Sequence, residues 1–373
     1  MMSSSQPLPT PSTSLAKLGG GRIEGWDMLR GVGMSLILLV HALDASGLRG
    51  HQGWGIVALT SFFVLSGYLI TGLLLRDVNR HGRIRLGVFY RNRAVRLLPP
   101  LVVVLVVYAG AEILIDRTGD PVWVTALIGL FYVANLPGFR ELTGTMRQMW
   151  SLAFEEQFYF VWPTLLWWTV RRRIATHVTI LLCSAAVAAL LVTALMSTAR
   201  PERIYTLPTT WAAPVLIGCL AALHRDRARA LVRPARRDGL PLLGVASIVA
   251  LWCCLTWEFT EITMYLGGPF IAGLACMVIV LWLEEWSVVR SRWLRPIVGL
   301  GTVSYAAYLW NYPLVMYVHH YVDDVPSQIA LSTVLTVVMA VLSWYLVEKP
   351  TQRWRARVTS RMTSSVQRET APA

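Results

Sequence analysis

Residues 28–48 read Met28-Leu-Arg-Gly-Val-Gly-Met-Ser-Leu-Ile-Leu-Leu-Val-His-Ala-Leu-Asp-Ala-Ser-Gly-Leu48. Such a stretch is long enough to cross a bilayer as one helix, which takes about 20 apolar residues. Residues 1–21, rich in Ser, Pro, Thr and Gly, hold no apolar signal core with a cleavage site. They are expected to form a disordered tail, which leaves 28–48 in place as the first transmembrane helix. Further stretches of the same kind lie at about 54–75, 98–115, 122–138, 148–170, 178–197, 208–223, 241–257, 267–283, 297–318 and 328–346.

The composition agrees. Hydrophobic residues make up 55% of the 373 and charged residues 15%, below the roughly 25% charged of soluble chains, and the mean hydropathy is +0.52. Sixteen tryptophans and thirteen tyrosines suit water–lipid interfaces. A soluble globule, a disordered chain and a coiled coil are excluded. The net charge of +13 is read as cytoplasmic loops rather than a nucleic-acid surface. The five cysteines all lie in apolar stretches without metal-ligand spacing and are read as small buried hydrophobes.

Arginine placement sets the topology. Seven arginines fall between Arg76 and Arg96, three at Arg171–Arg173, six between Arg225 and Arg237, and three between Arg290 and Arg295. Six more basic residues run from Lys349 to Arg368. All of these reach one side only if one stretch among 98–115, 122–138 and 148–170 fails to cross. The shortest, 122–138, ends in Asn135-Leu-Pro-Gly138, a turn signal. The expected fold is an all-α polytopic membrane protein, a bundle of about ten transmembrane helices plus one re-entrant or interfacial segment. Both termini are then cytoplasmic, and 28 of the 34 basic residues lie inside. The expected division is a tail at 1–21, a membrane domain at 22–354 and a disordered cytoplasmic tail at 355–373.

Ionisable groups inside membrane segments are expensive, so each is a candidate site. Arg30 and His41 are eleven residues apart, which puts them on one helical face with a rise of roughly 16 Å. His41 is a candidate general base. Glu155 and Glu156, in Trp150-Ser-Leu-Ala-Phe-Glu-Glu-Gln-Phe-Tyr159, are expected at the depth of His41. One of them, Glu155 in this reading, would hold the imidazole in its tautomer. Arg93 and Arg96 share a helical face at the membrane boundary, where guanidinium forks suit phosphate. Asn311, in Ser304-Tyr-Ala-Ala-Tyr-Leu-Trp-Asn-Tyr-Pro313, is expected near the depth of His41. The competing class is a transporter using the same His, Glu and Arg as a solute or proton path.

The stretches together resemble the acyltransferase-3 family of integral membrane acyltransferases. The matching motifs are Asp27-x-Leu-Arg30-Gly31 with His41 beyond it, Phe62-Phe-Val-Leu-Ser-Gly-Tyr-Leu-Ile-Thr71, and Arg93-x-x-Arg96-x-x-Pro99. Trp150-Ser-Leu with Glu155 to Tyr159, Ser304-Tyr with Tyr308-Leu-Trp310, and Val347-Glu-Lys-Pro350 complete the ordered set. Met28, Thr60 and Asn311 depart from the family's usual Gly, Asp and His. The soluble esterase-like domain that many members carry has no counterpart in these residues. The resemblance implies an acyl-CoA donor, usually acetyl-CoA, bound from the cytoplasm as co-substrate. It implies transfer to a hydroxyl of a glycan, peptidoglycan, lipid or macrolide. Arg30, Arg93 and Arg96 would hold the CoA phosphates, His41 and Glu155 would form the catalytic pair, and Tyr159, Tyr308 and Asn311 would border an acceptor pocket. No metal, permanently bound cofactor or nucleic acid is expected, and the oligomeric state is left open.

Overall fold

A computed structural model describes residues 22–115, 122–197, 204–237, 241–258 and 260–354. The expected tails, 1–21 and 355–373, lie outside them. Among the described residues there are helices and turns and no strand. The helices are α1 (Glu24–Ala45), α2 (Gln52–His81), α3 (Leu86–Ile115), α4 (Val122–Leu130), α5 (Met149–Arg171), α6 (Ala175–Met196) and α7 (Pro208–Leu223). There follow α8 (Arg225–Arg237), α9 (Pro241–Thr256), α10 (Gly268–Leu283), α11 (Arg295–Thr302), α12 (Ser304–Tyr321) and α13 (Val325–Ser343), which runs on through a π-helical turn at Trp344–Glu348.

Helices α1, α2, α3, α6 and the helix running from Val325 to Trp354 are long and apolar enough to cross a membrane. The apolar helices α7, α9 and α10 have 16 residues each, or about 24 Å. Large apolar side chains face outward all around the bundle, among them Leu114, Phe160, Leu181, Ile248 and Leu346. A water-soluble chain could not afford that surface, and a bilayer supplies its solvent. The protein is a multi-pass membrane protein.

The nine residues of α4 rise only about 14 Å, too little to cross. After α4 the chain turns at Tyr132, which has a φ of +54°. Here the amides of Asn135 and Gln157 bond reciprocally at 3.0 and 2.8 Å, and Gln157 Nε2 also donates to the Tyr132 carbonyl at 2.9 Å. The turn is therefore pinned against the middle of α5. Two short 3₁₀ turns lead back, with Met146 and Met149 fully buried. Helix α5 thus begins inside the bundle rather than at its rim.

Apolar packing divides into two clusters. One gathers α2, α7 and α10 around Phe63, Tyr68, Trp211 and Tyr265. The other gathers α1, α3 and α12 around Met34, Leu101, Ala306 and Leu309. Helix α5 stands between them, giving Trp150, Phe154 and Trp162 to the first and Met149, Leu152 and Ala153 to the second.

Several helix crossings have no room for a side chain, and two are the tightest. A Cβ on Gly67 would lie 2.0 Å from the Val215 carbonyl oxygen, and one on Gly218 2.1 Å from that of Val64. A Cβ on Gly31 would lie 1.9 Å from the Ile297 oxygen, and one on Gly301 1.7 Å from that of Asp27. Small residues at such crossings let backbones approach where lipid offers no hydrophobic drive between helices.

Candidate active site

Helix α1 carries the two ends of the site. At its arginine-rich end a cavity of about 220 Å³ is lined by Arg22, Trp26, Asp27, Arg30, Tyr68, Arg76 and Arg225. Arg30 donates to Asp27 Oδ1 at 3.2 Å, and Arg22 bonds the same carboxylate and Thr302. Arg225 is tied to Glu284 and to the Tyr68 hydroxyl. The cavity wall thus holds four guanidinium groups against the single carboxylate of Asp27, with Glu284 behind it.

At the opposite end of α1 a cavity of about 650 Å³ holds His41, Asp44, Gln148, Trp150, Tyr308 and Tyr312 in its lining. His41 Nδ1 lies 2.6 Å from Asn311 Oδ1, and the ring meets that of Tyr312 edge-on with centroids 5.1 Å apart. The direction of the His41 bond follows from its neighbours. The Thr336 hydroxyl donates to the Ser332 carbonyl at 2.7 Å. Its oxygen is then an acceptor for Asn311 Nδ2, 3.4 Å away. That leaves Asn311 Oδ1 toward the imidazole, and an oxygen acceptor requires the proton on Nδ1. The lone pair is on Nε2, where a base needs it.

Between the two ends lies a polar belt on α2, α3 and α5. Ser66 donates to Glu155, and Tyr159 donates to Glu155 Oε1 at 3.2 Å. Arg93 forms a two-pronged pair with Glu156, one prong at 2.8 Å, and its guanidinium lies 3.3 Å from the centre of the Tyr159 ring.

The conserved-length match of the whole is decisive. The model of the acyltransferase-3 family, described as an acyltransferase domain, matches residues 23–348. The chain belongs to the acyltransferase-3 family. It is 27% identical over 359 residues to the O-acetyltransferase OatA of Staphylococcus aureus, covering 89% of this chain and 57% of that protein. It is 28% identical over 356 residues to the peptidoglycan O-acetyltransferase OatA of Listeria monocytogenes, covering 88% and 55%. The chain therefore spans little more than half the length of these relatives. No solved structure matches it.

In this acyltransferase-3 chain the expected residues fall into three groups. Arg30 and His41 share α1 and line separate cavities. Glu155 is not the partner of His41, and this corrects the sequence expectation; Asn311 takes that place. Gln148 Nε2 reaches the Leu309 carbonyl at 3.4 Å, so residue 148 is level with the turn of α12 that holds Asn311. Glu155 lies seven residues further along α5, roughly 10 Å deeper. Arg93 is paired with Glu156 on α5. Arg96 is exposed, forms no hydrogen bond or ion pair among the described residues, and acts electrostatically on Arg30 and Glu348.

Of the expected pocket residues, Tyr308 borders the His41 cavity, with its hydroxyl donating to the Gln148 carbonyl and bonded to Ser151. Tyr159 belongs to the inner belt, and Asn311 stands behind His41. Thr60, at the position where the family usually has Asp, is fully buried and donates to the Ile56 carbonyl at 2.8 Å. The sequence reading took Arg22 and Arg76 as topological charges, considered Ser66 only as a nucleophile, and gave Gln148 no role.

Proposed function

We propose that this chain is a membrane O-acyltransferase that moves an acetyl group from acetyl-CoA, bound at the arginine-rich end, to a hydroxyl presented in the His41 cavity. The observation that carries this reading is the Thr336–Asn311–His41 chain, which leaves Nε2 free to take a proton at the wall of a cavity of about 650 Å³. The two relatives, named as O-acetyltransferases, support the reaction class. The donor's phosphates are assigned to Arg30 and the other arginines of the smaller cavity, with Arg96, which acts electrostatically on Arg30, beside them. The pantetheine arm then runs along α1, whose Arg30–His41 rise of roughly 16 Å suits its length. His41 removes the acceptor's proton as its oxygen attacks the thioester carbon, and the thiolate leaves toward the arginines. The acceptor class assigned here is a glycan, in keeping with the relative named as a peptidoglycan O-acetyltransferase.

The test is donor-dependent transfer by the purified chain in liposomes. Arg96→Ala is expected to weaken acetyl-CoA binding by about ten- to a hundredfold, the size of a lost charge-assisted contact, while the melting temperature stays at the wild-type value. Unchanged donor affinity would move the phosphate site away from Arg96.

The orientation belongs to the same proposal: ten crossings, with α4 and its turn entering and leaving on one side, and both termini in the cytoplasm. A single cysteine at Arg140 and one at Arg227 should then label from opposite sides of intact cells. Labelling of both from one side would overturn the ten-crossing arrangement.

A further inference from the structure

Loops at the His41 end are poor in positive charge, as membrane topology demands of the side away from the cytoplasm. In the ten-crossing arrangement they hold six of the 34 basic residues: Arg49, Arg117, Arg140, Arg147, Arg200 and Arg203. Arg117, Arg200 and Arg203 lie outside the described residues. The other three all line the His41 cavity. Charge that topology disfavours is thus gathered at one point, beside the candidate base.

The three arginines are not equivalent. Asp44 has Arg49, His51 and Gln52 around it, and Glu258 stands in the same lining, so Arg49 is matched by carboxylates on its own side of the cavity. Arg140 and Arg147 come from the segment between α4 and α5, on the other wall. Their side chains form no hydrogen bond or ion pair among the described residues, and both act electrostatically on Tyr312, whose ring packs against His41. Glu141, the acidic residue of that segment, is exposed and does not line the cavity. Arg147 is exposed and Arg140 half-buried, so neither guanidinium group is committed to an ion pair of the fold.

We infer that the acceptor is an anion, a hydroxylated compound whose carboxylate or phosphate is held by Arg140 and Arg147 while its hydroxyl meets His41. Guanidinium forks match both groups in geometry and charge. Trp150, Tyr205 and Tyr308, in the same lining, offer ring faces to an apolar sugar or polyol face. A volume of about 650 Å³ suits one or two sugar units. The inference rests on the reading of His41 as the base in this cavity and narrows the acceptor class within it.

The experiment uses the whole chain in nanodiscs and two matched pairs of probes. N-acetylmuramic acid and N-acetylglucosamine differ by a lactyl carboxylate, and ribitol 5-phosphate and ribitol by a phosphate. Equilibrium binding and acetyl transfer from acetyl-CoA are both measured. The charged member of at least one pair should bind about tenfold or more tighter than its neutral partner, the loss expected for one charge-assisted contact. In the Arg140→Ala/Arg147→Ala variant that gap should close without a change in acetyl-CoA affinity, and Lys replacements should restore part of it. A response confined to the carboxylate pair identifies a sugar acid, and one confined to the phosphate pair a polyol phosphate. Equal binding within both pairs, or a gap that survives in the double alanine variant, overturns the inference. His41→Gln should keep the binding gap, so a gap without any transfer by the wild type would sink the proposed reaction and leave the anion site standing.

Discussion

His41→Gln is expected to keep the fold and donor binding while lowering acyl transfer by about 10²–10⁴-fold, the usual penalty for removing a general base. Glutamine fills similar space and can still donate to Asn311 Oδ1, 2.6 Å from the imidazole nitrogen. It lacks the second ring nitrogen that would take the proton in the proposed reaction, so packing and catalysis are separated in one substitution. Asn311→Leu should act in the same direction with a smaller effect, because the imidazole stays but its tautomer is no longer fixed. Rates and melting curves of the purified variants decide it. A His41→Gln protein with more than about a tenth of wild-type transfer would make this histidine a packing residue.

Arg93→Ala should destabilise the bundle, not just empty a phosphate site. Arg93 pairs through two prongs with Glu156 and lies flat on Tyr159, and the two charged side chains are 18% and 12% exposed. Removing one member of such a pair leaves the other charged and without a partner, at a cost of about 3–5 kcal/mol. Replacing both, as in Arg93→Met with Glu156→Leu, should recover most of that loss, since a buried pair is worth little more than the apolar residues that could fill its place. Thermal melts in one detergent make the comparison. If Arg93→Ala melts with the wild type and loses only donor affinity, Arg93 is a ligand-binding group after all.

Much of the fold was legible because hydropathy and arginine placement act on the same chain. The first stretch, read as 28–48, is the helix Glu24–Ala45, and 178–197 is Ala175–Met196. Hydropathy failed where helices leave the apolar layer. It began the third segment at residue 98, whereas α3 starts at Leu86 and carries its arginines on one continuous helix through Pro99 and Pro100. It also read 297–318 as one helix, where the chain breaks at Val303 between α11 and α12.

The site was legible along a helix and illegible between helices. Eleven residues fix the rise and the face of His41 relative to Arg30 whatever surrounds them. The match of Glu155 to His41 assumed that both helices start at one plane. Helix α5 instead starts deep, because the turn pinned by Gln157 draws the preceding chain inward. Asn311 looked like the loss of a family histidine. Its value lies in its amide, which can accept from His41 and donate to Thr336 at once.

The crossing of Gly31 and Gly301 bears on how the molecule can work. A carrier opens to one side and then the other by letting some helices pivot over their neighbours, and a pivot needs clearance. At this crossing the backbones of α1 and α11 meet with less room than a methyl group requires, so the Arg30 half of α1 and α11 can move only as one body. Whatever moves in this molecule, the arginine-lined cavity and the foot of α1 move with α11, and the large cavity meets only the free half of that helix.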